Sequence, residues 1–117
     1  MATYENLEVY KESYQLMMSL YRYTKELPKE EMYGLTSQLR RASTSIVLNI
    51  AEGYGKDDTK EELKRFLRMA KGSIEEVRVI IRICRDIGYM KNEAAEKYLE
   101  KIEKLSKQMY RLMESIK

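Results

Sequence analysis

An all-α, antiparallel up-down-up-down four-helix bundle is the fold the sequence predicts, and three observations lead there. Apolar residues recur at alternating spacings of three and four along four separate stretches, which is the pattern of a helix with one buried face. Short connections join the stretches, and short connections favour neighbouring helices that run in opposite directions. One proline, five glycines, 35% charged and 44% hydrophobic residues compose a soluble helical chain rather than a disordered one. At 117 residues there is room for a single domain, 1–117.

The first stretch runs from Tyr4 to Leu27, with Leu7, Tyr10, Tyr14, Met17, Tyr21 and Thr24 placed on one face, and Pro28 marks its end. A second begins near Pro28, continues through Leu35, Leu39, Ala42, Ile46, Ile50 and Gly53 at the same spacing, and is stopped by Gly53 and Gly55. Thr59 and Glu62 then have the spacing of a capping box, and Asp57 and Asp58 suit the positive end of a third helix. Its core stripe is Leu63, Leu67, Ala70, Ile74, Val77, Ile81 and Cys84, closed by Gly88 as a left-handed cap. Asn92 is placed to cap a fourth helix with the stripe Ala95, Leu99, Ile102, Leu105, Met109, Leu112 and Ile116. Its outer face pairs Glu93 with Lys97, Glu100 with Lys104 and Glu103 with Lys107, each pair contributing a few tenths of a kcal/mol.

Composition also excludes several functions. The single cysteine, Cys84, has no internal disulfide partner, and a chain without histidine lacks the usual zinc and di-iron ligand sets, so no metal or cofactor is expected. No apolar run approaches the roughly 20 residues of a membrane span, and "MATYENLEVYKE" lacks the character of a signal peptide. The expected location is the cytoplasm, with no membrane partner. A net charge of +3 is modest, so its distribution carries more information than its total.

Two features of the third helix exceed what one bundle needs. Beyond the core stripe lie Met69, Gly72, Val79, Ile80, Ile83 and Ile87, which widen the apolar arc to roughly 240°, against the roughly 100° of an ordinary surface helix. A subunit interface in a homo-oligomer would cover that arc; deep burial by neighbouring helices is the other reading. The remaining arc carries Lys64, Arg68, Lys71, Arg78, Arg82 and Arg85, interrupted by Glu75. Such a row can follow a phosphate backbone, or it can be a solvated face partly compensated by Glu75 and Asp86.

The second helix has a polar line of its own, Gln38, Arg41, Ser45, Asn49 and Glu52. A catalytic role for Glu52 would require a second acid, a nucleophile or a metal, and the sequence offers no convincing partner. Gly53 and Gly55 followed by Asp58 do not complete a phosphate-binding glycine pattern, and no strand precedes them. The line reads instead as a polar network, with Ser73 and Glu76 on the third helix, that fixes helix register.

The stretches "EMYGLTSQLRRASTSIVLNIAEGYGK" and "FLRMAKGSIEEVR" resemble the bacterial four helix bundle family. That family includes proteins encoded by intervening sequences in 23S ribosomal RNA genes, often labelled S23 ribosomal protein, and the accessory variability determinant of diversity-generating retroelements. The resemblance extends from "NLEVYKESYQL" to the last helix. It implies a homopentameric barrel, a basic surface for RNA or DNA and, in the retroelement branch, a reverse transcriptase partner.

Two functions follow as expectations. The first is a non-enzymatic, oligomeric nucleic-acid-binding accessory protein of the 23S rRNA intervening-sequence type, using the row from Lys64 to Arg85 with Arg40 and Lys56 as further contacts. The second is a scaffold that docks a partner enzyme such as a reverse transcriptase. A hydrolase built on Glu52 alone lacks the remaining parts of a mechanism.

Overall fold

The computed structural model describes residues 4–55 and 59–116, and in them the chain is all-α, with no strand. Lys56, Asp57 and Asp58 lie outside the described residues. A short 3-10 turn, Tyr4–Asn6, precedes α1 (Glu8–Thr24), and a second, Lys29–Glu31, precedes α2 (Leu35–Gly55). The last two helices are α3 (Lys60–Ile87) and α4 (Asn92–Ser115). At about 1.5 Å per residue the 28 residues of α3 span roughly 42 Å. That length sets the 43 Å long axis of the molecule.

The four helices share one core. Leu39, Ala42, Ile46 and Ile50 of α2 meet Leu67, Ala70, Ile74, Val77, Ile81 and Cys84 of α3, all 0–1% exposed. From α4 come Ala95, Ile102, Leu105 and Met109. The α2–α3 seam is the most extensive and the α1–α4 seam the loosest.

On α1 the buried face differs from the expected one. It is Val9, Ser13, Leu16, Leu20 and Thr24, while Tyr14 and Tyr21 are exposed. Tyrosine, with an apolar ring and a polar tip, satisfies an apolar count without needing the interior. Ser13 and Thr24 are admitted to the interior because each hydroxyl donates to a carbonyl one turn back, Ser13 to Tyr10 at 3.0 Å and Thr24 to Tyr21 at 2.7 Å.

Glu31 joins two connections at one end of the molecule. Its Oε1 accepts from the Leu35 backbone N–H at 3.2 Å, satisfying a donor in the first turn of α2, and its Oε2 accepts from the Tyr89 hydroxyl at 3.1 Å. Gly53 does not stop α2. The helix runs to Gly55, and Gly53 is buried where a Cβ would lie 3.1 Å from Leu63 Cδ1 and 3.1 Å from Phe66 Cβ. The missing side chain is what lets α2 and α3 approach.

At the start of α3 the Thr59 hydroxyl accepts from the Glu62 N–H at 3.1 Å, as the capping spacing predicts. Gly88 ends the helix at φ 99°, a left-handed cap. Asn92 is the first residue of α4 rather than its cap; Lys91 holds the cap position without a side-chain hydrogen bond. The expected ion pairs along α4 do not form; Glu103 instead meets Arg78 on α3 at 3.0 Å and Lys104 meets Glu12 on α1 at 3.5 Å. For Glu103 and Lys104, a contact between helices replaces one within α4.

Burial raises the pKa values of the Tyr10, Tyr23 and Tyr54 hydroxyls and of the Cys84 thiol, and the hydrogen bond to Glu31, with burial second, raises that of Tyr89. These are acids whose folded pKa lies above the unfolded one, so their contribution is complete below the unfolded value and is lost as pH rises through the folded one. No histidine titrates near neutrality. Melting temperature followed by circular dichroism should therefore be flat from about pH 6 to 8 and fall above about pH 10. A plateau persisting well beyond pH 10 would contradict this assignment.

Candidate nucleic-acid interface

The rows on α3 follow from its wheel. Residues 64, 68, 71, 75, 78, 82 and 85 return to one side every three or four positions, and that side adjoins α4. Arg68, Lys71 and Arg82 are exposed there and form no ion pair, and Lys64 is half-buried and also without one.

Arg78 is different. Its side chain is 13% exposed and its guanidinium donates to both Glu75 oxygens, at 3.1 and 3.2 Å, and to Glu103 at 3.0 Å. Burial lowers its pKa, but the hydrogen bonds to Glu75 and Glu103 outweigh this and leave it raised. An arginine held by two carboxylates has no free fork for phosphate, so Arg78 is a tie between α3 and α4. Arg85 is also engaged, donating to Asp86 at 2.9 Å. Arg40, a further candidate, donates to Thr24 Oγ1 at 2.9 Å and lies 4.9 Å from the centre of the Tyr21 ring, which holds it against α1. The other further candidate, Lys56, lies outside the described residues.

On the adjoining side of α3, Met69, Val79, Ile83 and Ile87 are between 38% and 55% exposed. Gly72 is exposed, with nothing within 4 Å of where its Cβ would be. Ile80, three residues from Ile83, is only 5% exposed and belongs to the protein's own core. A groove of about 380 Å³ runs between α2 and α3 over Gln38, Gly72, Glu76, Val79 and Ile83.

The polar line divides into two parts. Arg41 and Glu76 form an exposed ion pair at 3.3 Å across α2 and α3. Deeper, Ser73 Oγ donates to Ser45 Oγ at 2.9 Å, and Asn49 Nδ2 donates to Ser45 Oγ at 3.0 Å and to the Ser45 carbonyl at 2.9 Å. Gln38 and Glu52 are exposed and make no hydrogen bond in it; Glu52 acts on Arg65 through charge alone.

Other surface residues were not legible as candidates. Tyr14, Met18 and Tyr21 on α1 and Leu48 on α2 are exposed apolar residues, yet in sequence the tyrosines pass for core. A second cationic row, Lys97, Lys101, Lys104 and Arg111 on α4, does show in the spacing once Glu103 is known to face α3.

No group of three or more potential metal ligands occurs among the described residues, and no helix there is long and apolar enough to cross a membrane. Four helices with an uncovered apolar face and cationic rows beside it define a small all-α protein whose surface offers the contacts. The chain belongs to the 23S rRNA-intervening sequence protein family, whose family model matches residues 5–111. A crystal structure of a protein of unknown function from the S23 ribosomal protein family of Bacteroides thetaiotaomicron has the same fold. It superposes with a TM-score of 0.83 at 18% identity, over 92% of this chain and 99% of that one. No curated protein matches the sequence.

Proposed function

We infer that this protein is a non-enzymatic, cytoplasmic, oligomeric accessory protein that binds RNA or DNA through its phosphate backbone. In this reading the four helices form an antiparallel up-down-up-down bundle, and copies assemble, as a pentamer by family resemblance, through the arc from Met69 to Ile87. The observation that carries the reading is the set of exposed, unpaired cations on α3, Arg68, Lys71 and Arg82, beside an apolar face that a lone subunit leaves uncovered. Assembly would repeat that row around a ring, multiplying a modest charge per subunit into many phosphate contacts. The 23S rRNA-intervening sequence family name supports the choice of nucleic acid.

Anisotropy titrations with structured RNA and duplex DNA over several salt concentrations test it. Affinity should fall steeply with salt, and Arg68→Glu with Arg82→Glu should reduce the slope on duplex by about 1.8 per subunit engaged, as two lost contacts require. Unchanged affinity and slope in that variant would remove the α3 row from the reading. Arg78 is unsuited to the experiment, because a carboxylate there would face Glu75 and Glu103 and loosen the fold.

A second reading, a scaffold that docks a partner enzyme such as a reverse transcriptase, is favoured by the neutralisation of Arg78 and Arg85. It expects weak binding of free nucleic acid even at low salt.

A further inference from the structure

The loose seam between α1 and α4 opens into a groove of about 220 Å³, lined by Ser19, Tyr23, Ala94, Lys97, Tyr98 and Lys101. No carboxylate is among the lining residues. Lys97 and Lys101 are exposed, form no ion pair, and stand one turn apart, where Cβ atoms are roughly 5–6 Å from each other. Between them on the groove wall is Tyr98, whose ring meets Tyr23 edge-on at 6.0 Å and whose hydroxyl lies 2.7 Å from Ser19 Oγ. Ala94 leaves room where a larger side chain would fill the groove.

Two carboxylates of α4 face away from this groove. At 100° per residue Glu96 and Glu103 fall on the side that meets α3, where Glu103 holds Arg78. Lys97, Lys101, Lys104 and Arg111 fall on the side toward α1. Glu93 and Glu100 lie within about 60° of Lys97 on the same wheel but form no ion pair with it, and Glu12 takes Lys104 at 3.5 Å, leaving Lys97 and Lys101 without an ion-pair partner.

We propose that the α1–α4 groove is a nucleotide-binding site for a single strand of nucleic acid, with Lys97 and Lys101 on a phosphate and the Tyr23–Tyr98 wall against sugar and base. Its volume is below the roughly 300 Å³ at which pockets that enclose a whole small ligand begin, which fits one unit of a strand that continues outside. Aromatic rings beside paired cations are the composition of single-strand channels, and they favour a nucleobase over an acidic peptide. The site is separate from the α3 row; as a site for a strand it rests on the nucleic-acid reading.

The test compares the wild-type protein with Lys97→Glu/Lys101→Glu, using a short fluorescein-labelled oligouridylate. The variant should bind at least about tenfold more weakly at low salt and lose about 1.4 from the salt slope, with helical circular dichroism and melting unchanged. Unaltered affinity and slope overturn the proposal whatever the α3 reversals do. Displacement of the oligouridylate by polyglutamate at matched charge concentration also overturns it, in favour of an acidic protein partner. If the wild type binds no RNA or DNA, the general reading falls and the groove is judged alone by saturation-transfer NMR with uridine monophosphate. Transfer that is lost in the variant supports a nucleotide site, and absence of transfer to the wild type overturns it.

Discussion

Val79→Asp with Ile83→Asp is expected to yield a 13.9 kDa monomer in analytical ultracentrifugation, where the proposed assembly requires the unaltered protein to sediment as a multi-subunit particle. In the isolated subunit both positions are solvent-exposed, at 49% and 38%, so a carboxylate at either costs the fold little and helical circular dichroism should be preserved. In an assembled interface the same groups would be desolvated without partners, at several kcal/mol each, while the apolar burial worth roughly 25 cal/mol per Å² is lost. Ile80 makes the control: it is buried in the subunit itself, so Ile80→Asp should unfold the protein rather than dissociate it. An undiminished particle mass for the Val79/Ile83 variant would mean that the α3 arc is not where copies meet.

The second large effect distinguishes the two glycines of Gly-Tyr-Gly. Gly53→Val should cost roughly 1–3 kcal/mol, because the added atoms enter a space already bounded at 3.1 Å by Leu63 and Phe66. Gly55→Ala should be neutral or stabilise by up to about 1 kcal/mol, since no atom lies within 4 Å and the helix gains a better former. Chemical denaturation with matched m-values would measure both. Equal effects would show that close α2–α3 approach does not depend on Gly53.

Helices α2, α3 and α4 could be read from sequence because their core positions are filled mostly by aliphatic side chains at strict helical spacing. The family and its all-α fold were legible from the same stretches. On α1 the reading failed, since tyrosines imitate a core face while Ser13, buried and bonded to its own helix, hides one. Gly53 falls on the stripe of α2 but also reads as a stop, because sequence shows its lack of a side chain and not the neighbouring helix that needs that space. Ile80 and Ile83 are alike in type and three residues apart, and only the packing of the folded chain shows that the first is covered and the second exposed. Arg78 and Arg82 are equally basic on paper; Glu103, 25 residues away from Arg78, separates them. For Gly53 and Arg78, what escaped sequence was set by residues on a neighbouring helix.

Cys84 is fully buried in the middle of the α3 stripe, and burial holds its thiol in the protonated, unreactive form. A modifying reagent can reach that sulfur only when the helices around it part. The chain has no tryptophan to report such openings by fluorescence. Its single thiol takes that place as a built-in clock: the rate at which an aryl disulfide reagent titrates it counts excursions of the native state, and slowing of that rate by added subunits or nucleic acid would measure how firmly each clamps the fold.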